Sequence, residues 1–197
     1  ERPPAASQRV GEGTFIGAPN SYNRPVEIII RGETPEERAA SEDILRAAYG
    51  REAETRLVQT LRLSAEYNPK LSVVAANGPE ILGYALYARV SLVGNPGVPC
   101  AALAAMAVKE DRRRLGVAER LVRHGLERCR GIGIQLVFAA GLPQYFSRIG
   151  FRPAVTAGLK PDWAVPDDQF TVFDLHGSKL GQVQGTVSYP PAFHGTT

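Results

Sequence analysis

The chain has 197 residues, 44% of them hydrophobic and 22% charged, with a formal net charge of +3. That length is enough for one domain with a full core, and that composition excludes a disordered or low-complexity chain. So small a charge does not by itself argue for nucleic acid, yet it permits an acidic ligand.

Residues 1–25, ERPPAASQRVGEGTFIGAPNSYNRP, are rich in Pro, Gly and Ser and contain no apolar run of a secretory signal. They are read as a flexible leader, and residues 26–197 as a single domain. Met106 is the only methionine, so the chain is expected to be trimmed at its start.

VEIIIRG, bounded by Pro25 and Gly32, is a β-branched strand. Thr34, Pro35 and Glu37 then supply an N-cap, a first helical residue and the far half of a capping box. The helix they open runs to Tyr49 and stops at Gly50. EAETRLVQTLRLS is a second helix with Leu57, Val58 and Leu61 inward. Residues 71–93 form two strands around a turn at Asn77-Gly78. VPCAALAAMAV, residues 98–108, is a small-residue apolar strand. After Gly116 a helix buries Val117, Leu121, Val122, Leu126 and Cys129. GIQLVFAAG is a buried strand, PQYFSRIGF a short helix ending at Gly150, and FTVFDL and GTVSYP are late strands. This order predicts an α/β domain of mixed strand direction, neither a doubly wound parallel sheet nor a sandwich.

Cys100 and Cys129 fit no disulfide framework, so a reducing, cytoplasmic setting is expected. His124, His176 and His194 lack metal-ligand spacing, so no metal is expected. No apolar run reaches the roughly 18 residues of a membrane span.

One segment stands out electrostatically. Arg112, Arg113 and Arg114 sit where a helix begins, adding cations to the positive end of its dipole. Arg113 to Ala118 fits (Gln or Arg)-x-x-Gly-x-(Gly or Ala), a degenerate pattern that also matches Gln8–Gly13 and Arg128–Gly133. Only the middle match lies between a buried strand and an amphipathic helix, where small residues let a ligand approach free amides. A pyrophosphate would supply the missing negative charge; the alternative is a solvated charge run.

LAAMAVKEDRRRLGVAERLV, followed by YFSRIGF, resembles the GCN5-related N-acetyltransferase (GNAT) superfamily. GLPQYFSRIGFRPA with VSYPPAF resembles its YhbS-like group. The resemblance implies a mixed, mostly antiparallel sheet flanked by helices, with a V-shaped splay between the strands at about 98–108 and 134–139. It implies acetyl-CoA as co-substrate and a primary amine of a small molecule or protein as acceptor. The pantetheine arm would pair with the backbone of Met106, Ala107 and Val108, and a strand amide near Met106 would stabilise the oxyanion. The amides of Arg113, Arg114, Leu115, Gly116, Val117 and Ala118 would bind the pyrophosphate.

Relatives place a Glu on the strand equivalent to 98–108, where this chain has no acid, so the general base is sought among Glu52, Glu54 and Glu66. Relatives also place a proton-donating Tyr where this chain has Phe146. Tyr145 is the substitute proposed on sequence grounds, with Ser147 a weaker one. The acceptor pocket is expected between the two early helices and strand 81–92, where Tyr84 and Tyr87 point to opposite faces, so that at most one can enter it. The missing strand acid and Phe146 keep open a non-catalytic CoA or acyl-CoA binding module, acting as sensor or scaffold. A nucleic-acid binder is disfavoured by the lack of a recognition motif. The VSYPPAF strand offers an edge for a second copy, leaving a homodimer open.

Overall fold

The computed structural model describes residues 27–194. The expected leader, residues 1–25, and the first residue of the VEIIIRG strand lie outside them.

Strand β1 (Ile29–Gly32) leads into a single turn of 3-10 helix and then α1 (Arg38–Tyr49). Glu37 accepts the Thr34 amide at 2.9 Å, the reach-back that the sequence predicts, and Gly50 ends α1 at φ 65°. Helix α2 (Ala53–Arg62) buries Leu57, Val58 and Leu61. Strands β2 (Ser72–Asn77) and β3 (Glu80–Leu92) form the hairpin. Because Asn77 pairs with Glu80, the loop is Gly78-Pro79, one residue later than the predicted Asn77-Gly78 turn. Gly78 supplies the positive φ that the loop needs before the fixed φ of proline.

Strand β4 (Cys100–Val108), helix α3 (Val117–Gly131), strand β5 (Leu136–Ala140) and helix α4 (Pro143–Ile149) follow as the sequence predicts. Between α4 and the late strands lie two short strands, β6 (Arg152–Pro153) and β7 (Leu159–Pro161), that the pattern reading does not contain. The late strands are β8 (Phe170–Asp174) and β9 (Gly185–Ser188), and α5 (Pro191–His194) follows β9.

The sheet runs β1-β2-β3-β4-β5-β8-β6, with β9 pairing both β3 and β7. Only β4–β5 and β7–β9 are parallel. The expected mixed, mostly antiparallel sheet is therefore found. Since β9 is paired on both sides, the edge expected to receive a second copy is already occupied. No helix among the described residues is long and apolar enough to cross a membrane.

Alternation along the strands sorts the core into layers. Leu82, Ala85, Tyr87 and Val137 face α3 and α4, whereas Tyr84, Leu86, Ala105 and Ala107 face α1 and α2. Phe138 and Phe170 pack with the C-terminal strands on the same side as α1 and α2. Under α2 a buried polar network crosses the chain. Arg62 pairs with Glu33 at 2.7 Å and with Glu42, and Ser72 joins Glu33 to the Tyr84 hydroxyl. It ties the β1–α1 link, both early helices and the hairpin into one unit, and each charge is compensated as burial requires.

Helix α3 lies unusually close to the sheet. A Cβ at Gly125 would stand 2.1 Å from the Tyr87 ring, whose hydroxyl donates to the Val122 carbonyl at 3.1 Å. Gly125→Ala is expected to lower stability by about 1–3 kcal/mol through overpacking, against a helix-propensity gain of about 1 kcal/mol. Urea unfolding measures it. An unchanged midpoint would contradict this packing, and Tyr87→Leu in the same chain should recover part of the loss.

Candidate functional site

The parallel pairing of β4 with β5 lasts three residues: Cys100, Ala101 and Ala102 against Leu136, Val137 and Phe138. From Leu103 onward β4 is paired on the β3 side alone, while β5 continues against β8. The two strands part here, within the 98–108 and 134–139 ranges. A β-bulge marks the place: the register passes from Leu86↔Ala105 to Tyr87↔Leu103, leaving Ala104 without a counterpart on β3.

Backbone direction in the gap follows from the ladder. The Lys109 amide donates to the Leu82 carbonyl, so odd-numbered residues near it turn to β3 and Met106 and Val108 turn to the gap. The Tyr49 hydroxyl, at the end of α1, donates to the Met106 carbonyl at 3.1 Å. Ala107, one of the three expected pairing residues, spends its backbone on β3 and faces the early helices with its methyl group.

Beyond β4 the chain makes a 3-10 turn at Glu110–Arg112 and reaches α3 through two left-handed residues, Arg114 (φ 64°) and Gly116 (φ 74°). The Arg113 amide is already used, donating to Glu110 at 3.2 Å. From Arg114 to Glu119 no amide meets a protein acceptor among the described residues, and the first helical bond across the cap is Arg120 to Gly116. Arg112 pairs with Asp111 at 3.2 Å, whereas Arg113 and Arg114 are exposed without an acidic partner among the described residues. Unpartnered amides, a helix dipole and two free guanidiniums converge on one spot. The sequence-predicted Leu115, Val117 and Ala118 contribute their amides here; the side chain of Val117 is buried in the α3 core.

On the α1/α2 side of the parting strands lies a cavity of about 530 Å³. Leu103 and Ala104 of β4 and Ala140 at the end of β5 line it, with Tyr49 and Glu54 from the early helices. Glu54 is the one candidate acid in its wall. It is nearly buried and is held by Arg51 through contacts of 3.1 and 2.5 Å. Glu52 pairs with Arg46 at the surface, and Glu66 lines a different cavity. Burial, and then the charge of Glu54, raise the pKa of the Tyr49 hydroxyl.

Strand β3 contributes nothing to this wall, contrary to expectation. Tyr84 is committed to Ser72 and Arg62 and Tyr87 to Val122, so neither tyrosine enters it. Its far wall is C-terminal: Trp163, Tyr189 and Phe193, which the sequence reading does not include. Phe146 is core, packed edge-on against Phe151. Tyr145 lies on the α3 side of the sheet, outside this cavity, with a buried hydroxyl that has no hydrogen-bond partner among the described residues. Burial, with the Glu119 charge second, pushes its pKa up to about 12.

The arrangement fits an extended ligand with an anionic end: backbone groups in the gap for the stem, amides and arginines for the anion, and a cavity at the tip. A model of the Acetyltransferase (GNAT) family matches residues 38–151. The N-acetyltransferase YhbS of Escherichia coli K12 is 29% identical over 167 residues, covering 85% of this chain and 99% of that protein. YjhQ of the same strain, also named an N-acetyltransferase, is 32% identical over 123 residues, 61% of this chain and 68% of that one. Among solved structures, Escherichia coli YhbS in complex with CoA superposes with a TM-score of 0.82 at 28% identity, over 89% of this chain and 96% of that one. A GNAT family acetyltransferase from Brucella melitensis shares the fold, with a TM-score of 0.69 at 24% identity over 86% and 99% of the two chains.

A Cβ at Gly116 would meet nothing within 4 Å, so conformation alone demands glycine there. Gly116→Val is expected to cost about 1–2 kcal/mol through its left-handed φ, without any clash. Arg114→Gly, at a similar φ, should leave stability unchanged or slightly higher. Thermal unfolding of both variants checks the loop geometry; equal destabilisation by the two would contradict it.

Proposed function

The chain belongs to the acetyltransferase (GNAT) family as an N-acetyltransferase, and we propose that it carries an acetyl group from acetyl-CoA to a primary amine. The observation that carries the donor assignment is the run of unpartnered amides from Arg114 to Glu119, reached directly from a strand whose outer backbone groups are released by the splay. Gly116 sets that run, and Arg113 and Arg114 add cations for the pyrophosphate. Met106 and Val108 offer backbone groups to the pantetheine arm. The Met106 carbonyl already accepts a hydroxyl, and an incoming amide N–H would share that position or take it over from Tyr49. CoA bound to the YhbS relative supports this reading.

Acetyl-CoA supplies the activated acyl group and a thiol leaving group. This chain's residues supply orientation and proton handling. An alkyl amine with a pKa near 10 arrives protonated at neutral pH and must lose a proton before it attacks. Glu54 is the acid positioned to take that proton, because it lines the cavity beside the bulge at Ala104. A strand amide near Met106, where the backbone turns to the gap, polarises the reacting carbonyl. Tyr145, across the splayed strands from the cavity, is assigned a hydrogen bond to the leaving thiolate rather than full proton transfer: with a pKa of about 12 it stays a phenol, and no protein acceptor among the described residues competes for its hydroxyl. The unpaired Cys100 and Cys129 support a reducing, cytoplasmic setting.

The test is acetyl-CoA turnover with primary amines, read as released CoA thiol. Burial holds the pKa of Cys100 and Cys129 up at about 12, so neither should react with the thiol reagent. Glu54→Gln is expected to lower kcat/KM at pH 7 by about 10²-fold or more, the range of general-base catalysis. The deficit should shrink as the pH rises toward the amine's own pKa, because free amine then arrives without help. An unchanged rate at pH 7 would remove Glu54 as the base, and a chain that binds no acetyl-CoA would overturn the reading as a whole.

A further inference from the structure

The acceptor cavity carries information about the amine. Its C-terminal wall is a continuous aromatic surface: Trp163 meets Tyr189 edge-on at 6.0 Å between ring centroids, and Tyr189 meets Phe193 edge-on at 4.9 Å. Tyr49 adds a fourth ring from α1. Among the described residues, the charged groups in the lining are Arg51 and Glu54, and they are paired with each other. That lining therefore holds one acid and one cation that already neutralise each other, so an incoming ammonium would share Glu54 with Arg51, and no further acid is present for a second ammonium. At about 530 Å³ the cavity lies inside the usual range of small-molecule pockets, roughly 300–1,000 Å³.

Resting on the acetyl-transfer reading above, we propose that the acceptor is a small arylalkyl primary amine with an uncharged body. Its amine group meets Glu54 and its ring lies against Trp163. A flat ring buries apolar area against the aromatic wall, and edge-to-face contacts add to that burial. The approaching ammonium is also favoured by the neighbouring ring faces. A polyamine would bury an unpaired second charge, and a free amino acid would bring a carboxylate beside Glu54. Both incur the desolvation cost of an uncompensated ion.

The intact chain is assayed for CoA release with 2-phenylethylamine, tryptamine, putrescine, spermidine, phenylalanine and a lysine-containing peptide. Acetyl-CoA binding is measured on the same preparation by calorimetry. The two arylalkylamines are expected to exceed every other amine in kcat/KM by at least about tenfold, the scale on which apolar pockets discriminate. Trp163→Ala should raise the KM for 2-phenylethylamine by about tenfold while leaving the KM for acetyl-CoA in place, and Trp163→Phe should restore it. If acetyl-CoA binds but the arylalkylamines are not preferred, the acceptor class is wrong and the donor reading stands. If Trp163→Ala lowers kcat for all amines alike with no change in KM, the aromatic wall does not bind the acceptor. If acetyl-CoA fails to bind, the acetyl-transfer reading falls and this inference falls with it.

Discussion

The rest of the site depends on a pairing that stops. Two parallel strands hold together for three residues and then separate, although nothing in the composition of either strand requires it. An unpaired backbone inside a fold is costly, because each buried N–H or C=O without a partner forfeits a hydrogen bond. The chain meets that cost in several ways at once. β3 holds the inner edge of β4 and β8 holds the outer edge of β5, so each strand keeps one full ladder through the gap. The bulge at Ala104 turns the freed strand, and Tyr49 satisfies the Met106 carbonyl from across the gap. What stays unsatisfied is open to a ligand.

Electrostatics completes the constraint. Arg113 and Arg114 stand at the positive end of a 15-residue helix, a placement that opposes stability until an anion arrives. Arg62 is buried between two carboxylates, and Arg31, Arg46, Arg51 and Arg123 each pair with an acid. Other arginines, Arg38, Arg56 and Arg148 among them, also lack an acidic partner among the described residues; what distinguishes Arg113 and Arg114 is their place beside the free amides. Positive charge without a partner is concentrated beside amides without a partner, and the same physical account covers both.

The fold was legible where local chemistry dictates structure. Thr34-Pro35 and Glu37 open α1, Gly50 closes it, and the apolar spacing from Val117 to Cys129 defines the buried face of α3. Legibility failed where long-range geometry decides. β6 and β7 have two and three residues, too few to show a period of two. The bulge at Ala104 lies in a run of alanines that has no local turn signal. Gly125 reads as a weak helix residue until the Tyr87 ring is seen beneath it. The loop proposed for the donor could be singled out because it is contiguous in sequence. The cavity proposed for the acceptor could not, because its walls come from α1, α2, β4, the end of β5 and a segment more than a hundred residues beyond the early helices, and only folding brings Glu54 and Trp163 to one cavity.

The most direct test of this account is calorimetric titration with acetyl-CoA of the intact chain and of an Arg113→Ala, Gly116→Glu double variant. The variant removes one cation and sets a carboxylate within the free amide run, where the pyrophosphate is proposed to bind. The account predicts micromolar binding by the intact chain, roughly −8 kcal/mol, and its loss in a variant that remains folded by circular dichroism. Equal binding by both chains would place the ligand elsewhere and contradict the role given to the splay and the loop beside it.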